Sequence, residues 1–252
     1  MKRSAMPKEV NAAPAEDGFQ LSAGCAAHDL NLWQALQELS RARSDHDAPL
    51  LSSTEHTMPA HANICQPAMW YDVVPILCSG WAMSSVILPN GRQQVLSFLL
   101  PGEIVSTALV FGPMAGRLVQ SVTKVTYRAF NRADIKATLS RHPELLEKFS
   151  KVWIDEKAEA DQLALDLGRR TADERIARLI LRLMKRLAKR GMVQGQTMEF
   201  PLRQHQIADA TGLTSVHVSR VLGNFRRNGL IDINGRLLTI LNTTELNRVA
   251  NP

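Results

Sequence analysis

Cysteine is scarce in this 252-residue chain, which contains Cys25, Cys65 and Cys78 and no others. Three scattered thiols are too few for a disulfide framework and lack the close spacing of a structural zinc site, so we expect a cytoplasmic protein. The sequence also lacks any run of 18 or more apolar residues, which excludes an ordinary transmembrane helix. No apolar stretch follows the charged start of the chain, so we expect no secretory signal.

Familiar catalytic motifs are missing as well. The sequence has no Ser/His/Asp arrangement, no HExxH zinc motif, no P-loop and no GxGxxG pattern. Apolar residues make up 45% of the chain and charged residues 21%, which is ordinary for a globular protein. The composition therefore predicts a packed core, and the missing motifs lead us to expect that the protein is not an enzyme.

Charge is distributed unevenly along the chain. Residues 1–170 carry 17 Lys and Arg against 18 Asp and Glu, whereas residues 171–252 carry 13 against 6. The first part is thus nearly neutral and the second has a net charge of +7. Such asymmetry is typical of a nucleic-acid-binding region, although a basic surface without a partner would give the same count.

The first half of the chain combines a polar N-terminal region with a β-rich region. Residues 1–52 are expected to form a flexible tail with a short amphipathic helix at 30–42. Residues 53–140 contain short apolar runs separated by turn residues, which predicts a small antiparallel barrel or roll. Asn90-Gly91 predicts a type I′ hairpin turn between two of these strands. The predicted strands are Val73–Leu77, Ala82–Leu88, Gln94–Leu99 and Val122–Phe130.

A single long helix is predicted at residues 141–168. Its apolar side chains recur at alternating steps of three and four, which is typical of a helix paired with another helix. We expect it to form a dimer, although the same seam would also suit packing on its own subunit. Gly168 is expected to end the helix with a left-handed cap. The candidate dimerisation residues are Leu146, Phe149, Trp153, Ala160, Leu163 and Leu167.

Residues 169–252 have the pattern of a winged helix-turn-helix. The capping sequence Thr171–Glu174 starts a helix whose remaining faces are rich in arginine. Two further helices at 204–211 and 215–227 flank the turn Gly212–Thr214, in which Thr214 is the candidate N-cap. A hairpin with Asn234-Gly235 as its turn follows and forms the wing.

The second helix of this layout would lie in the major groove of DNA. Arg220 is suited to a bidentate bond with guanine, and Val216 to a thymine methyl group. Ser215 and Ser219 would bond bases or phosphates, and His217 either contacts DNA or packs on the turn. The remaining candidates are Gln204 and three expected phosphate contacts, Arg226, Arg227 and Arg236.

These residues resemble the CRP/FNR family of bacterial transcription regulators over about residues 55–242. The strongest matches are Leu167–Ala177, LGRRTADERIA, and Gln206–Arg220, QIADATGLTSVHVSR. Leu77–Trp81, LCSGW, and Asn90–Glu103, NGRQQVLSFLLPGE, are similar to the family's sensor roll. The resemblance implies an α+β fold with a cyclic-nucleotide-binding-like antiparallel roll, a dimerisation helix and a winged helix-turn-helix. Its implied partners are double-stranded DNA, a second copy of the chain and RNA polymerase, with no membrane.

The chain departs from the ligand-binding patterns of that family. Its cyclic-nucleotide binders pair an arginine with Ser or Thr, whereas Arg117 is followed by Leu118. Its oxygen sensors hold an iron–sulfur cluster through four cysteines, more than this chain has. We therefore expect neither cyclic AMP nor such a cluster, and we identify no cofactor or metal. The candidate axial ligands for a haem, which stay open, are His61, His142 and Cys78.

The DNA-reading helix departs too, because guanine-reading branches commonly have Glu at the position of Val216. We therefore expect a different half-site. The competing function is a small-molecule-binding module whose basic region has no DNA role. Gel retardation on DNA fragments separates the two hypotheses.

Overall fold

The structure is a computed structural model that describes residues 35–36, 51–65, 72–112 and 116–252. The predicted tail and most of the helix predicted at 30–42 lie outside the described residues. Residues 35–36 are helical, and Leu36 is buried in the core of the β-rich region.

Two antiparallel sheets form the sensor roll. The first sheet has the order β1-β7-β3, and the second has the order β2-β6-β4-β5. Apolar side chains from both sheets, such as Val74, Leu99 and Phe130, form the core of the roll. The strands are β1 Ser53–Met58, β2 Asn63–Cys65, β3 Val73–Ser79, β4 Ala82–Ile87, β5 Gln93–Leu99, β6 Leu118–Ser121 and β7 Val125–Asn131.

The strands that sequence patterns miss are short or polar. Four of the six β1 residues are exposed, since among the described strands β1 lies at the edge of its sheet, paired with β7, and its sequence therefore shows no apolar alternation. The predicted type I′ turn at Asn90-Gly91 is wrong. Pro89 fixes a negative φ at the first turn position, and Gly91 instead takes the left-handed conformation of a three-residue loop, with a φ of +79°.

Two helices follow the roll, α1 Arg132–Arg141 and α2 Pro143–Arg169. Pro143 suits the first helical turn, where its missing N–H has no intrahelical partner. The predicted end at Gly168 is wrong, because the helix continues through it to Arg169. The Arg175 guanidinium accounts for this, since it donates to the carbonyl oxygens of Leu167 and Arg170 at 3.0 and 2.9 Å. A side chain therefore satisfies carbonyls that a glycine cap would otherwise serve.

The C-terminal region contains a helix-turn-helix and a wing. Its elements are α3 Ala172–Ala188, β8 Val193–Gln194, β9 Thr197–Glu199, α4 Gln204–Thr211, α5 Ser215–Arg227, β10 Ile231–Asn234, β11 Leu237–Ile240 and α6 Thr243–Ala250. β8 and β9 extend the wing into a four-stranded sheet, and α6 packs on α3. The wing turn consists of Gly235 and Arg236 rather than Asn234 and Gly235, since Asn234 still pairs with Leu237. The predicted order of roll, long helix and winged helix-turn-helix is confirmed.

Candidate nucleic-acid interface

The helix-turn-helix is fixed by local signals in the sequence. Gly212 ends α4 in the left-handed conformation, with a φ of +65°. The Thr214 hydroxyl accepts a hydrogen bond from the His217 N–H at 3.2 Å and caps α5, as predicted. The inner face of α5 is buried through Val218, Val221, Leu222 and Phe225. The opposite face is therefore held toward solvent.

That outer face carries the residues predicted to read DNA. His217, Ser219 and Arg220 are exposed, Ser215 is half-buried, and Val216 has 72% of its surface exposed. Within the described residues, no hydrogen bond or ion pair engages the Arg220 guanidinium, so its donors are available to a base edge. Gln204 is exposed at the first turn of α4.

The three predicted phosphate-binding arginines lie on exposed parts of the same module. Arg226 Nε is 3.7 Å from an Asp232 carboxylate oxygen, and Arg236 is 3.1 Å from Glu199. Arg227 donates to the side chain of Asn224. Exposed pairs of this kind are worth little in water. Phosphate oxygens can therefore replace these partners at small cost.

The arginines of α3 have a different role from the one their charge suggested. Arg178 and Arg182 approach the carboxylate of Asp166 on α2 at 2.9 and 3.1 Å. Arg170, at the α2–α3 junction, approaches the same carboxylate at 3.0 Å. The Asp166 side chain is 4% exposed. These cations therefore join two helices rather than face DNA.

A second cluster joins α3 to the sensor roll. Arg186 and Arg190 contact the Glu103 carboxylate at 2.5 and 2.7 Å. Burial by itself raises the pKa of Glu103, but the two guanidiniums outweigh it and hold the pKa below its usual value. Sequence reasoning missed this cluster, as it missed that at Asp166. The signal was the four-residue spacing of Arg178, Arg182 and Arg186 along one face of a helix, continued by Arg190 just after its end.

A cavity of about 570 Å³ lies between the roll, α2 and α3. Ile76, Val152 and Leu163 contribute apolar walls, and Arg117 and Glu103 contribute charge. Glu156 of α2 crosses to the roll, where it accepts hydrogen bonds from the Thr107 N–H at 2.9 Å and the Thr107 hydroxyl at 2.7 Å. Burial raises the pKa of Glu156 despite these bonds.

The predicted dimerisation residues fall into three groups on α2. Leu146, Trp153 and Ala160 are exposed, with Trp153 showing 57% of its surface. Leu163 and Leu167 are half-buried beside the cavity. Phe149 is buried in the core of its own roll, against Phe111, so it contributes no free surface to a second subunit.

The three candidate haem ligands lie in different environments. His61 is exposed in a loop, and His142 bonds Glu144 at 3.1 Å. Cys78 is half-buried on β3, where burial raises its pKa to about 11. Within the described residues, no group of three or more His, Cys, Asp or Glu side chains is placed to hold a metal ion.

Comparisons with known proteins identify the family. Residues 174–249 match the model of the Crp-like helix-turn-helix domain. The chain is 30% identical to the transcriptional activator protein FnrA of Stutzerimonas stutzeri over 170 residues, 67% of this chain and 68% of that protein. The chain belongs to the CRP/FNR family of transcription regulators. This CRP/FNR protein is also 33% identical to the nitrogen fixation regulation protein FixK of Bradyrhizobium diazoefficiens, over 58% of this chain and 61% of FixK.

Solved structures agree with this CRP/FNR fold. FixK2 from Bradyrhizobium japonicum superposes with a TM-score of 0.72 at 24% identity, over 80% of this chain and 99% of that one. A CooA mutant from Carboxydothermus hydrogenoformans gives 0.63 at 19% identity, over 79% and 88%. At these identities the likeness concerns the fold. Among the described residues, no helix combines the length and apolar character needed to span a bilayer.

Proposed function

We propose that this CRP/FNR protein is a homodimeric regulator that recognises a specific DNA sequence through α5. The observation that carries the proposal is the outer face of α5, where Arg220 projects from a packed and capped scaffold without an internal partner in the described chain. In this geometry Arg220 reads a base in the major groove, while Arg226, Arg227 and Arg236 position the module on phosphates. RNA polymerase is the expected protein partner in that role.

The dimer part of the proposal is supported by α2. This helix has 27 residues and would be about 40 Å long. Leu146, Trp153 and Ile154 are large apolar side chains that it leaves about half exposed or more. A second copy of α2 would bury this surface, and two reading helices would then face successive turns of DNA.

The decisive experiment compares Arg220→Ala with Arg248→Ala. The control removes an exposed arginine of the same module that is already paired with Glu245 at 2.6 Å. After in vitro selection of a preferred site, we expect Arg220→Ala to reduce the preference for that site over random DNA by about 10- to 150-fold for each half-site, because each subunit loses one bidentate base contact. Fluorescence anisotropy at fixed salt measures both affinities. An unchanged preference would remove Arg220 from the reading role.

We propose further that neither cyclic AMP nor an iron–sulfur cluster is the effector. The single arginine of the candidate phosphate segment, Arg117, has Leu118 beside it rather than a hydroxyl residue, and the sequence holds three cysteines. Native mass spectrometry of the purified protein tests for a ligand of any kind. A co-purifying cyclic nucleotide, or absorption by an iron–sulfur cluster, would contradict the proposal.

The cavity favours a second candidate function, the binding of a small molecule without any DNA role. Its apolar walls, with charged side chains such as Glu103, Arg117 and Arg186 among them, are compatible with a ligand site. Gel retardation at low salt on random genomic fragments separates the two functions. The small-molecule hypothesis alone predicts no retardation, whereas the regulator hypothesis predicts retardation with or without a ligand in the cavity.

A further inference from the structure

The helix-turn-helix and the sensor roll share one continuous apolar core. Trp81, Phe98 and Leu100 of the roll belong to the same buried cluster as Ile180 of α3 and Ile207 of α4. Trp81 and Leu100 are fully buried there. α4, the first helix of the helix-turn-helix, packs directly on β5. The DNA module is therefore docked on the roll rather than suspended from the long helix.

Charged groups complete this interface at its edge. Glu103 follows the turn Pro101-Gly102, and its carboxylate accepts from the Leu100 N–H at 3.0 Å. Arg186 donates to Glu103 at 2.5 Å and to the Phe98 carbonyl at 2.7 Å. Arg190 donates to Glu103 at 2.7 Å and to the Pro101 carbonyl at 2.9 Å. The guanidiniums of Arg186, in α3, and of Arg190, just after α3, therefore hold the carboxylate and the backbone of one roll segment.

Burial makes this cluster sensitive to the loss of any member. The side chains of Arg190, Glu103 and Arg186 are 0%, 14% and 17% exposed. Removing one partner of a buried ion pair leaves a charge without compensation, which costs far more than breaking an exposed pair. The cluster therefore strongly favours one placement of α3 on the roll.

The backbone between the two regions does not impose that placement. Arg170, between α2 and α3, has an extended conformation with φ −95° and ψ 150°. Thr171, which follows it, is also extended, and two extended residues between two helices are compatible with many interhelical angles. Side-chain contacts must therefore select the angle. Of the two charged clusters, the one at Asp166 joins α3 to α2, and the one at Glu103 joins α3 to the roll.

We propose that Glu103 is the positioning residue that docks the helix-turn-helix on the sensor roll through Arg186 and Arg190. This inference rests on the proposed function, because its consequence is for DNA binding. In the dimer, two docked modules present their reading helices at one separation, as two half-sites of DNA require. Modules released from the roll populate that arrangement for a fraction of the time, and the apparent affinity falls by the same fraction.

Glu103 also lies in the wall of the cavity, together with Arg186. The contact that docks the module is thus accessible from the space between roll and long helix. Any change in that space that draws Arg186 away from Glu103 would loosen the docking. This position makes the cluster a point at which the roll can control the DNA module.

The test uses full-length Glu103→Gln, with Glu147→Gln as the matched control on α2, where the carboxylate is exposed and bonds Lys151. Hydrogen exchange is measured by mass spectrometry without DNA. We expect faster exchange in β5 and α4, which face each other across the interface, and unchanged exchange in β1 and β7, which pair with each other in the other sheet of the roll. A uniform rise in all four segments, or no rise at the interface, would overturn the docking role.

DNA affinity gives the second readout. We expect Glu103→Gln to weaken binding of the selected site about tenfold, within the usual range of coupling between two regions, with the preference for that site over random DNA retained. Affinity within twofold of the wild type would overturn the inference. Failure of the wild type itself to bind DNA would instead refute the proposed function. The hydrogen-exchange measurement would then still test whether Glu103 docks the module on the roll.

A third variant covers the case in which Glu103→Gln does not fold. Arg186→Lys keeps the charge but loses the bidentate geometry and one carbonyl contact. By itself it should show the same local rise in exchange at smaller amplitude, and no rise would overturn the docking role. Where Glu103→Gln does fold, the double variant should show less than the sum of the two single effects, because both substitutions remove the same contact between Arg186 and Glu103. Full additivity would overturn the pairing.

Discussion

Two sets of arginines in the basic third of the chain have opposite environments. Those of α3 and the turn after it are buried or half-buried and bind carboxylates or carbonyl oxygens elsewhere in the fold, as Arg190 does with Glu103. Those of α5 and the wing are exposed and make loose pairs at the surface, as Arg226 does with Asp232, both 56% exposed. The first set holds the molecule together, and the second set is available to an anionic partner.

The difference shows that the net charge of this segment overstates the number of basic side chains available to DNA. Residues 171–252 have seven more basic than acidic side chains. Their partners Asp166 and Glu103 lie outside that segment, so a count within the segment cannot include them. Part of the excess of basic side chains, which composition alone would assign to DNA phosphates, therefore binds these two carboxylates instead.

The largest effect expected from this comparison concerns stability. Arg190→Ala should lower the free energy of unfolding by about 3–5 kcal/mol, because it leaves Glu103 buried with one fewer cation. Arg226→Ala should change it by less than about 0.5 kcal/mol, as is usual for an exposed site. Urea unfolding followed by circular dichroism compares the two variants. Equal effects would erase the distinction between the two sets.

A pH titration sharpens the same distinction. The pKa of Glu103 lies below its ordinary value, so its ionised form contributes stability that is present above that value and is lost as pH falls through the lowered pKa. The difference in unfolding free energy between wild type and Glu103→Gln should be constant above about pH 5 and should shrink at lower pH, by at most about 1.4 kcal/mol per pH unit. A difference that stays constant down to pH 3 would show that the carboxylate is not held ionised.

The smallest expected effect is on the salt dependence of DNA binding. Arg226→Gln should reduce the slope of log affinity against log salt by about 0.9 for each bound subunit, because each loses one phosphate contact. Arg182→Gln, which removes one cation from Asp166, should leave the slope unchanged. Anisotropy titrations at salt concentrations between about 50 and 200 mM measure the slopes of both variants. A reduced slope for Arg182→Gln would place α3 on the DNA.

Local signals predicted the parts of the fold that depend on neighbouring residues. Thr171 and Thr214 cap the helices that they were expected to cap, and Gly212 takes the left-handed conformation of the turn. These features need a few residues of context, which the sequence supplies directly. The same holds for the apolar inner face of α5, set by the helical period.

Three features that sequence patterns did not anticipate share a cause, which is that a contact from elsewhere in the chain decided the local structure. Gly168 does not end α2 because Arg175 supplies the donors from the next helix. Phe149 lies in the seam pattern of a paired helix, but its own roll covers it. β1 has no alternation of apolar residues, and it is a strand because its backbone pairs with β7. Periodicity cannot distinguish these partners.

The sequence by itself determined the order of the regions, the caps and turn of the helix-turn-helix, and the outward face that carries Arg220. These follow from residue spacing, because a helix places every third or fourth side chain on one face. The tertiary structure alone decided which arginines are free for DNA and which dock the module on the roll. That choice depends on Glu103, which is more than 80 residues from Arg186 in the chain but 2.5 Å away in space.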